Sequence, residues 1–153
     1  MMKIGVIINY YDTLEPIDRE VFYKKCQVPD NMEICVVNNN SDNLTAQVLQ
    51  DIGIDVPRIN VINLNQRKSD HAMIKAATRF MTSNFNLSVL GIITNTEGIS
   101  LVKILEAIAE KGHMLFNHVD NAFGTSQIKA SRSNEYVSIK MSELFSKPSN
   151  FEV

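Results

Sequence analysis

The chain has few cysteines. Cys26 and Cys35 are the only two among 153 residues, and neither lies in a CxxC pair or in a Cys/His cluster with metal-ligand spacing. Disulfide-stabilised secreted domains and structural zinc sites both need more cysteines than this. We therefore expect no disulfide framework and no structural zinc, and a reducing, cytoplasmic location fits the composition.

Long apolar runs and an excess of one charge are also missing. The first apolar stretch, Ile4–Ile8, is shorter than the core of a signal peptide and far below the roughly 20 residues that span a bilayer. Fifteen basic and seventeen acidic residues give a formal charge of −2, with no long run of like charge. We expect no membrane span and no nucleic-acid polymer as a partner.

The loop after the first predicted strand contains no glycine. It reads Asn-Tyr-Tyr-Asp-Thr-Leu-Glu-Pro over residues 9–16. Dinucleotide-binding folds, P-loop enzymes and flavodoxins cradle phosphate at this loop, and the first two use glycine so that backbone amides can approach it. A phosphoacceptor receiver needs an aspartate at the end of its third strand, where this chain has Asn63-Leu64-Asn65. The sequence argues against all four classes.

Segments typical of strands and helices alternate along the first two thirds of the chain. Continuous apolar, β-branched runs predict strands at Ile4–Ile8, Ile34–Val37, Ile59–Leu64 and Val89–Thr94. Helical spacing of apolar residues predicts helices from Pro16 to Cys26, from Leu44 to Gly53, from a Ser69 cap through Ala72, Met73, Ala76, Ala77, Phe80 and Met81, and from Leu101 to near Gly112. The alternation predicts an α/β fold in three α/β/α layers, with a mostly parallel sheet, right-handed crossovers and one domain over residues 1–153.

The pattern is less regular after the fourth helix. Met114–Phe116 is predicted as a fifth strand, and residues 119–134 as a long loop rich in Asn, Ser, Lys and Gly. Tyr136–Ile139 is predicted as an edge strand and Ser142–Phe145 as a short final turn.

The most informative stretch is Val36–Asn43, where an apolar strand gives way to four Asn, a Ser and an Asp. Short polar side chains at the carboxyl end of a parallel strand form an edge that can bind a ligand. Tyr10 and Tyr11 follow the first strand, and a phenol ring can stack on a flat base while asparagine reads the base edge, which would suit uracil. An Asx-rich turn that caps the second helix is the alternative reading of the same run.

These strand ends resemble those of family 2-type glycosyltransferases with the GT-A fold. Val6–Asp12 looks like their opening strand, an apolar triplet followed by P-x-Y-N, and Val36–Asp42 is similar to their signature V-V-D-[DN]-[GN]-S-T-D. The order of Pro57–Ile62, Asn65 and Ala72–Ala77 also matches. The resemblance covers about two thirds of the chain and implies a GT-A-like nucleotide-binding half whose partner is a nucleotide-diphospho-sugar of the UDP type.

The resemblance implies a role for each matching position. Tyr11 would face the base and Asn39 would read its edge, while Arg67 and Lys68, beside Asp70, would meet the diphosphate. A solvated surface is the alternative for the two cations. The full set of predicted nucleotide-binding residues is Asn9, Tyr11, Asp12, Asn38, Asn39, Arg67, Lys68, Asp70 and Asn95.

The predicted metal site departs from the family pattern. The family's D-x-D motif follows the fourth strand, where this chain has Asn95-Thr96-Glu97. Glu97 is therefore the one predicted metal ligand, and binding of Mn²⁺ or Mg²⁺ is expected to be weak. Asn38 likewise replaces an aspartate of the family.

The predicted acceptor region also departs from the family. The residues after Glu97 are too few for the usual acceptor half, and no catalytic residue is assigned, although Asp120 is a candidate base. Two functions stay open: transfer of the sugar to a hydroxyl acceptor, and a non-catalytic nucleotide-sugar-binding or protein-interaction domain. A homo-oligomer, or a partner chain that completes the site, also stays open.

Overall fold

The computed structural model describes residues 3–10, 17–39, 43–64, 66–94, 96, 98–111 and 137–139. The strands are β1 (Ile4–Tyr10), β2 (Met32–Asn38), β3 (Ile59–Asn63), β4 (Val89–Ile93) and β5 (Val137–Ile139). The helices are α1 (Arg19–Lys25), α2 (Asn43–Asp55), α3 (Asp70–Asn84) and α4 (101–111). The predicted strand Met114–Phe116, the predicted loop 119–134 and the predicted turn Ser142–Phe145 lie outside the described residues.

The five strands form one sheet in the order β3-β2-β1-β4-β5, and every pair is parallel. β1 lies in the middle, with Ile4 opposite Met32 on one side and Val89 on the other. All seven residues of β1 and all seven of β2 are buried, because helices cover both faces of the sheet. The predicted α/β class with a parallel sheet is confirmed.

The two faces carry different helices. Val6, Ile8 and Tyr10 pack in one cluster with apolar residues of α1, α2 and α4. Ile7 packs in a second cluster against α3. Among the described elements, three helices therefore cover one face and α3 covers the other.

The position of α4 is not what simple right-handed crossovers predict. The chain moves across the sheet in one direction from β1 to β3, and α1 and α2 pack on one face along this path. The chain then turns back to β4, and α3 packs on the opposite face. This is the arrangement that crossovers of a single hand require. The step from β4 to β5 continues in the return direction, so a crossover of the same hand would place α4 beside α3. It packs beside α1 instead, and the rest of this connection, 112–136, is outside the described part of the chain.

Helix α2 shows where the sequence prediction was wrong. It continues past Gly53 to Asp55, because this glycine serves close packing rather than a helix end. A Cβ at Gly53 would lie 3.1 Å from Cγ2 of Val61 on β3, so its absence lets α2 approach the strand. Leu44, the first apolar residue of the predicted helix, is 69% exposed, since it lies in the first turn, before the core contacts of Leu49.

Helix α3 matches its prediction more closely. Ser69 caps it by accepting a hydrogen bond from the Ala72 amide, at 3.2 Å. The residues of this helix that are fully buried are Met73, Ala77, Thr78 and Met81. Ala76, predicted to be buried, is exposed because it falls outside this stripe. No helix among the described residues is both long enough and apolar enough to cross a bilayer.

The two cysteines are buried on opposite faces of the sheet. Burial raises the pKa of both thiols to about 12, and for Cys26 the nearby Glu106 carboxylate adds to the effect. Both side chains are therefore protonated at neutral pH, and they behave as small apolar core residues.

We expect the buried Cys35 thiol to make the fold less stable at alkaline pH. Above its ordinary pKa of 9.0, the thiol loses its proton in the unfolded chain but keeps it in the folded one, so rising pH favours unfolding. The free energy of unfolding can be measured in urea at pH 8 and at pH 11. Between these two values, the unsubstituted protein should lose about 2 kcal/mol more of this free energy than a Cys35→Ala variant does. Identical pH dependence in the two proteins would contradict this prediction.

Candidate functional site

Polar side chains meet at the carboxyl edge of the sheet, on the face that carries α3. Asn9 lies one residue before the end of β1 and is completely buried. Its Nδ2 donates a hydrogen bond to Oδ1 of Asp70, at 2.9 Å. Asp70 is the first residue of α3 and is itself exposed. The contact joins the centre of the sheet to the start of that helix.

Asn39 holds the loop before α3 with its side-chain amide. It follows the last residue of β2 and is 2% exposed. Its Oδ1 accepts from the backbone N–H of Lys68, at 2.9 Å, and its Nδ2 donates to the Lys68 carbonyl, at 3.0 Å. The same Nδ2 lies 3.5 Å from Oδ1 of Asn9. A buried amide with these partners is well satisfied, and the loop is fixed to the sheet.

The paired bonds restrict what else Asn39 can do. Both N–H groups of its amide are directed at protein acceptors, and one lone pair of Oδ1 remains. Its predicted role in reading a base edge therefore stays a prediction. Its observed role is to position Lys68.

The loop presents charged side chains beside the amino terminus of α3. Arg67, Lys68 and Asp70 are all exposed. The first backbone N–H groups of a helix carry partial positive charge, which favours anions near this end. Two cations and a helix terminus thus lie next to one carboxylate, and Asn9 donates to that carboxylate.

The structure separates Asn38 from Asn39. Side chains alternate between the faces of a strand, and Asn38 pairs with β3 on the α2 side of the sheet. Its Nδ2 donates to Oδ1 of Asn63, at 2.8 Å, and its carbonyl accepts from the Leu64 amide, at 3.1 Å. Asn38 and Asn39 thus lie on opposite faces of the sheet, and only Asn39 lies beside Asn9.

Thr96 belongs to the edge but was not among the predicted residues. It is completely buried, and its hydroxyl donates to the backbone carbonyl of Asn9. This bond ties the segment after β4 to the end of β1. A threonine after a strand carries no distinctive signal in a single sequence, because the contact spans 87 positions.

Four of the predicted nucleotide- and metal-binding residues lie outside the described part of the chain, and so does the candidate base Asp120. The four are Tyr11, Asp12, Asn95 and Glu97. Within the described ranges, no group of three or more His, Cys, Asp or Glu side chains could hold a metal ion. The predicted weak metal site at Glu97 therefore stays a prediction.

Comparisons with known proteins assign no family. No protein-family model matches the chain, and no curated protein matches it significantly. The likeness to family 2-type glycosyltransferases therefore stays a resemblance of motifs.

We expect Asn39→Ala to destabilise the fold by about 2 kcal/mol, because it removes both hydrogen bonds to the Lys68 backbone and the contact with Asn9, and leaves buried polar groups without their partner. Chemical unfolding measures this loss. Asn84→Ala is the matched control, since Asn84 also bonds a backbone carbonyl, that of Phe80 at 2.7 Å, but is exposed. The control should lose about 0.5 kcal/mol or less. Equal losses in the two variants would show that the Asn39 contacts add nothing beyond a surface bond.

Proposed function

We propose that this chain binds a nucleotide-diphospho-sugar of the UDP type at the carboxyl edge of the sheet. The observation that carries the proposal is the joined set of Asn9, Asn39, Lys68 and Asp70. Polar groups from β1, from the residue after β2, from the loop before α3 and from the first residue of α3 meet in one place.

The position of this set within the topology supports the proposal. Ligands of open α/β sheets bind outside the carboxyl ends of the strands, where the strand order reverses. In this sheet the reversal falls between β1 and β4, since the chain first moves to β2 and later returns to β4. Asn9 is the last but one residue of β1 and Thr96 lies after β4, and the Thr96 hydroxyl donates to the Asn9 carbonyl.

The charges near α3 also support a diphosphate. Arg67 and Lys68 are exposed cations, and the adjacent helix terminus favours negative charge. The exposed carboxylate of Asp70 is an acceptor for a ribose hydroxyl in this proposal. Phosphate would contact Lys68, whose backbone Asn39 fixes.

Transfer of the sugar to a hydroxyl acceptor is the second part of the proposal. It requires a base that deprotonates the acceptor, for which Asp120 is the sequence candidate. A second copy of the chain or a partner chain would supply the acceptor region. The alternative within this proposal is a domain that binds the nucleotide-sugar without turnover.

Calorimetric titration with UDP and UDP-glucose tests the binding step. We expect saturable binding that Arg67→Ala and Lys68→Ala each weaken roughly three- to tenfold, since each removes one exposed charge-assisted contact. Arg79→Ala and Lys75→Ala are matched controls, because both cations are exposed further along α3. The proposal would be overturned if neither UDP nor UDP-glucose binds at millimolar concentration. It would also be overturned if the site variants and the control variants weaken the affinity equally.

The same titration with Mn²⁺ tests the predicted metal dependence. We expect the affinity for UDP to change less than threefold when Mn²⁺ is added, because the family's D-x-D is replaced by Asn95-Thr96-Glu97. A larger gain that disappears in Glu97→Ala would show instead that a working metal site is present. Release of UDP from UDP-glucose, followed over time, distinguishes turnover from binding alone.

A further inference from the structure

A cleft opens on the other face of the same strand end. Consecutive residues of a strand point to opposite faces, so Asn9 faces α3 while the next residue, Tyr10, packs in the cluster with α1 and α4. The segments that begin α1 and α4 flank Tyr10 and enclose a cavity of about 230 Å³. Tyr10 is 1% exposed and forms its floor.

The unexpected position of α4 creates this cleft. Both helices follow a strand that ends at the carboxyl edge, β1 for α1 and β4 for α4. Because both pack on the same face, their first turns lie side by side at the reversal of the strand order. A helix on the α3 face would have left Tyr10 without this second wall.

The walls of the cleft are apolar. Ile17 and Val21 line it from the α1 side, and Leu101 and Val102 line it from α4. Val21 is an apolar residue of α1, yet it is 38% exposed. Its exposed surface belongs to the cleft, which explains an apolar side chain that the core does not cover.

The rim of the cleft is charged but balanced. Asp18 and Lys25 come from the α1 side, and Lys103 and Glu106 come from α4. Among the described lining residues, the two acids and two bases balance, so these side chains favour neither phosphate nor a free cation. Together they offer hydrogen-bond acceptors and donors around an apolar centre, which is the pattern that a neutral ligand with several hydroxyl groups would use.

The volume limits the size of that ligand. Sites for drug-sized molecules measure roughly 300 to 1,000 Å³, and the cleft, at about 230 Å³, is smaller. It is too small for a whole nucleotide and suits a single ring.

We propose that the cleft between α1 and α4 binds one neutral polyhydroxylated ring, a monosaccharide. The C–H face of the ring packs on the apolar walls, and its hydroxyl groups bond to the charged rim. The proposal goes beyond nucleotide binding, because the cleft uses different side chains on the opposite face of β1.

Amide chemical shifts of the ¹⁵N-labelled chain test this inference. The probes are glucose, galactose, N-acetylglucosamine and myo-inositol, each titrated to about 100 mM because single-ring ligands bind weakly. We expect at least one of them to cause saturable shifts at the amides of Val21, Ser100 and Val102. If none of the four shifts these amides, the inference is overturned.

Two variants that each add a phenylalanine ring, one inside the cleft and one outside it, test where the monosaccharide binds. Val21→Phe adds bulk inside the cleft and should weaken binding at least tenfold, whereas Leu44→Phe adds the same ring at an exposed position of α2 and should leave it unchanged. Equal affinity in the two variants would overturn the inference. Should Val21→Phe lose its native spectrum, Glu106→Gln replaces it, with an expected loss of at least threefold; unchanged affinity would again overturn the inference.

The two proposals fail separately. Shifts with a monosaccharide but no heat with UDP would support the cleft and overturn the nucleotide site. Binding of UDP without any monosaccharide shift would do the reverse.

Discussion

The arrangement of the carboxyl edge depends on how one buried amide is satisfied. Asn39 leaves the sheet at the end of β2, where an unpaired amide would cost several kcal/mol. Two hydrogen bonds to the backbone of Lys68 satisfy the donor and the acceptor of this amide, and they join positions 29 residues apart. The start of α3 is thereby held against the sheet, and Asn9 reaches Asp70. Without these bonds, the exposed charges before α3 would have no fixed relation to β1.

The alternation of side chains along β1 divides this edge into two environments. Asn9 belongs to a polar, cation-bearing side beside α3, and Tyr10 belongs to an apolar cleft between α1 and α4. Thr96 ties the segment after β4 to the backbone between them. Two chemically different surfaces therefore meet at one strand end.

Local patterns in the sequence predicted β1 to β4 and the cap at Ser69, because strand runs and capping residues act over a few positions. The end of α2 was wrong because a glycine marks both helix ends and close packing, and the contact of Gly53 with Val61 is tertiary. Asn39 was predicted to bind a ligand, and that role stays a prediction; its hydrogen bonds to the Lys68 backbone could not be read from the sequence. The sequence also did not predict the face of the sheet on which α4 packs, because that packing is a tertiary contact as well.

The central claim is that the edge formed by Asn9, Asn39 and the loop before α3 is a ligand site. Amide shifts of the ¹⁵N-labelled chain during titration with UDP test it most directly. The account predicts the largest shifts at Asn39, Lys68 and Thr96, with little change at Arg58 on the opposite edge. Shifts confined to the amino ends of the strands, or no shifts at any amide at saturating UDP, would contradict this claim.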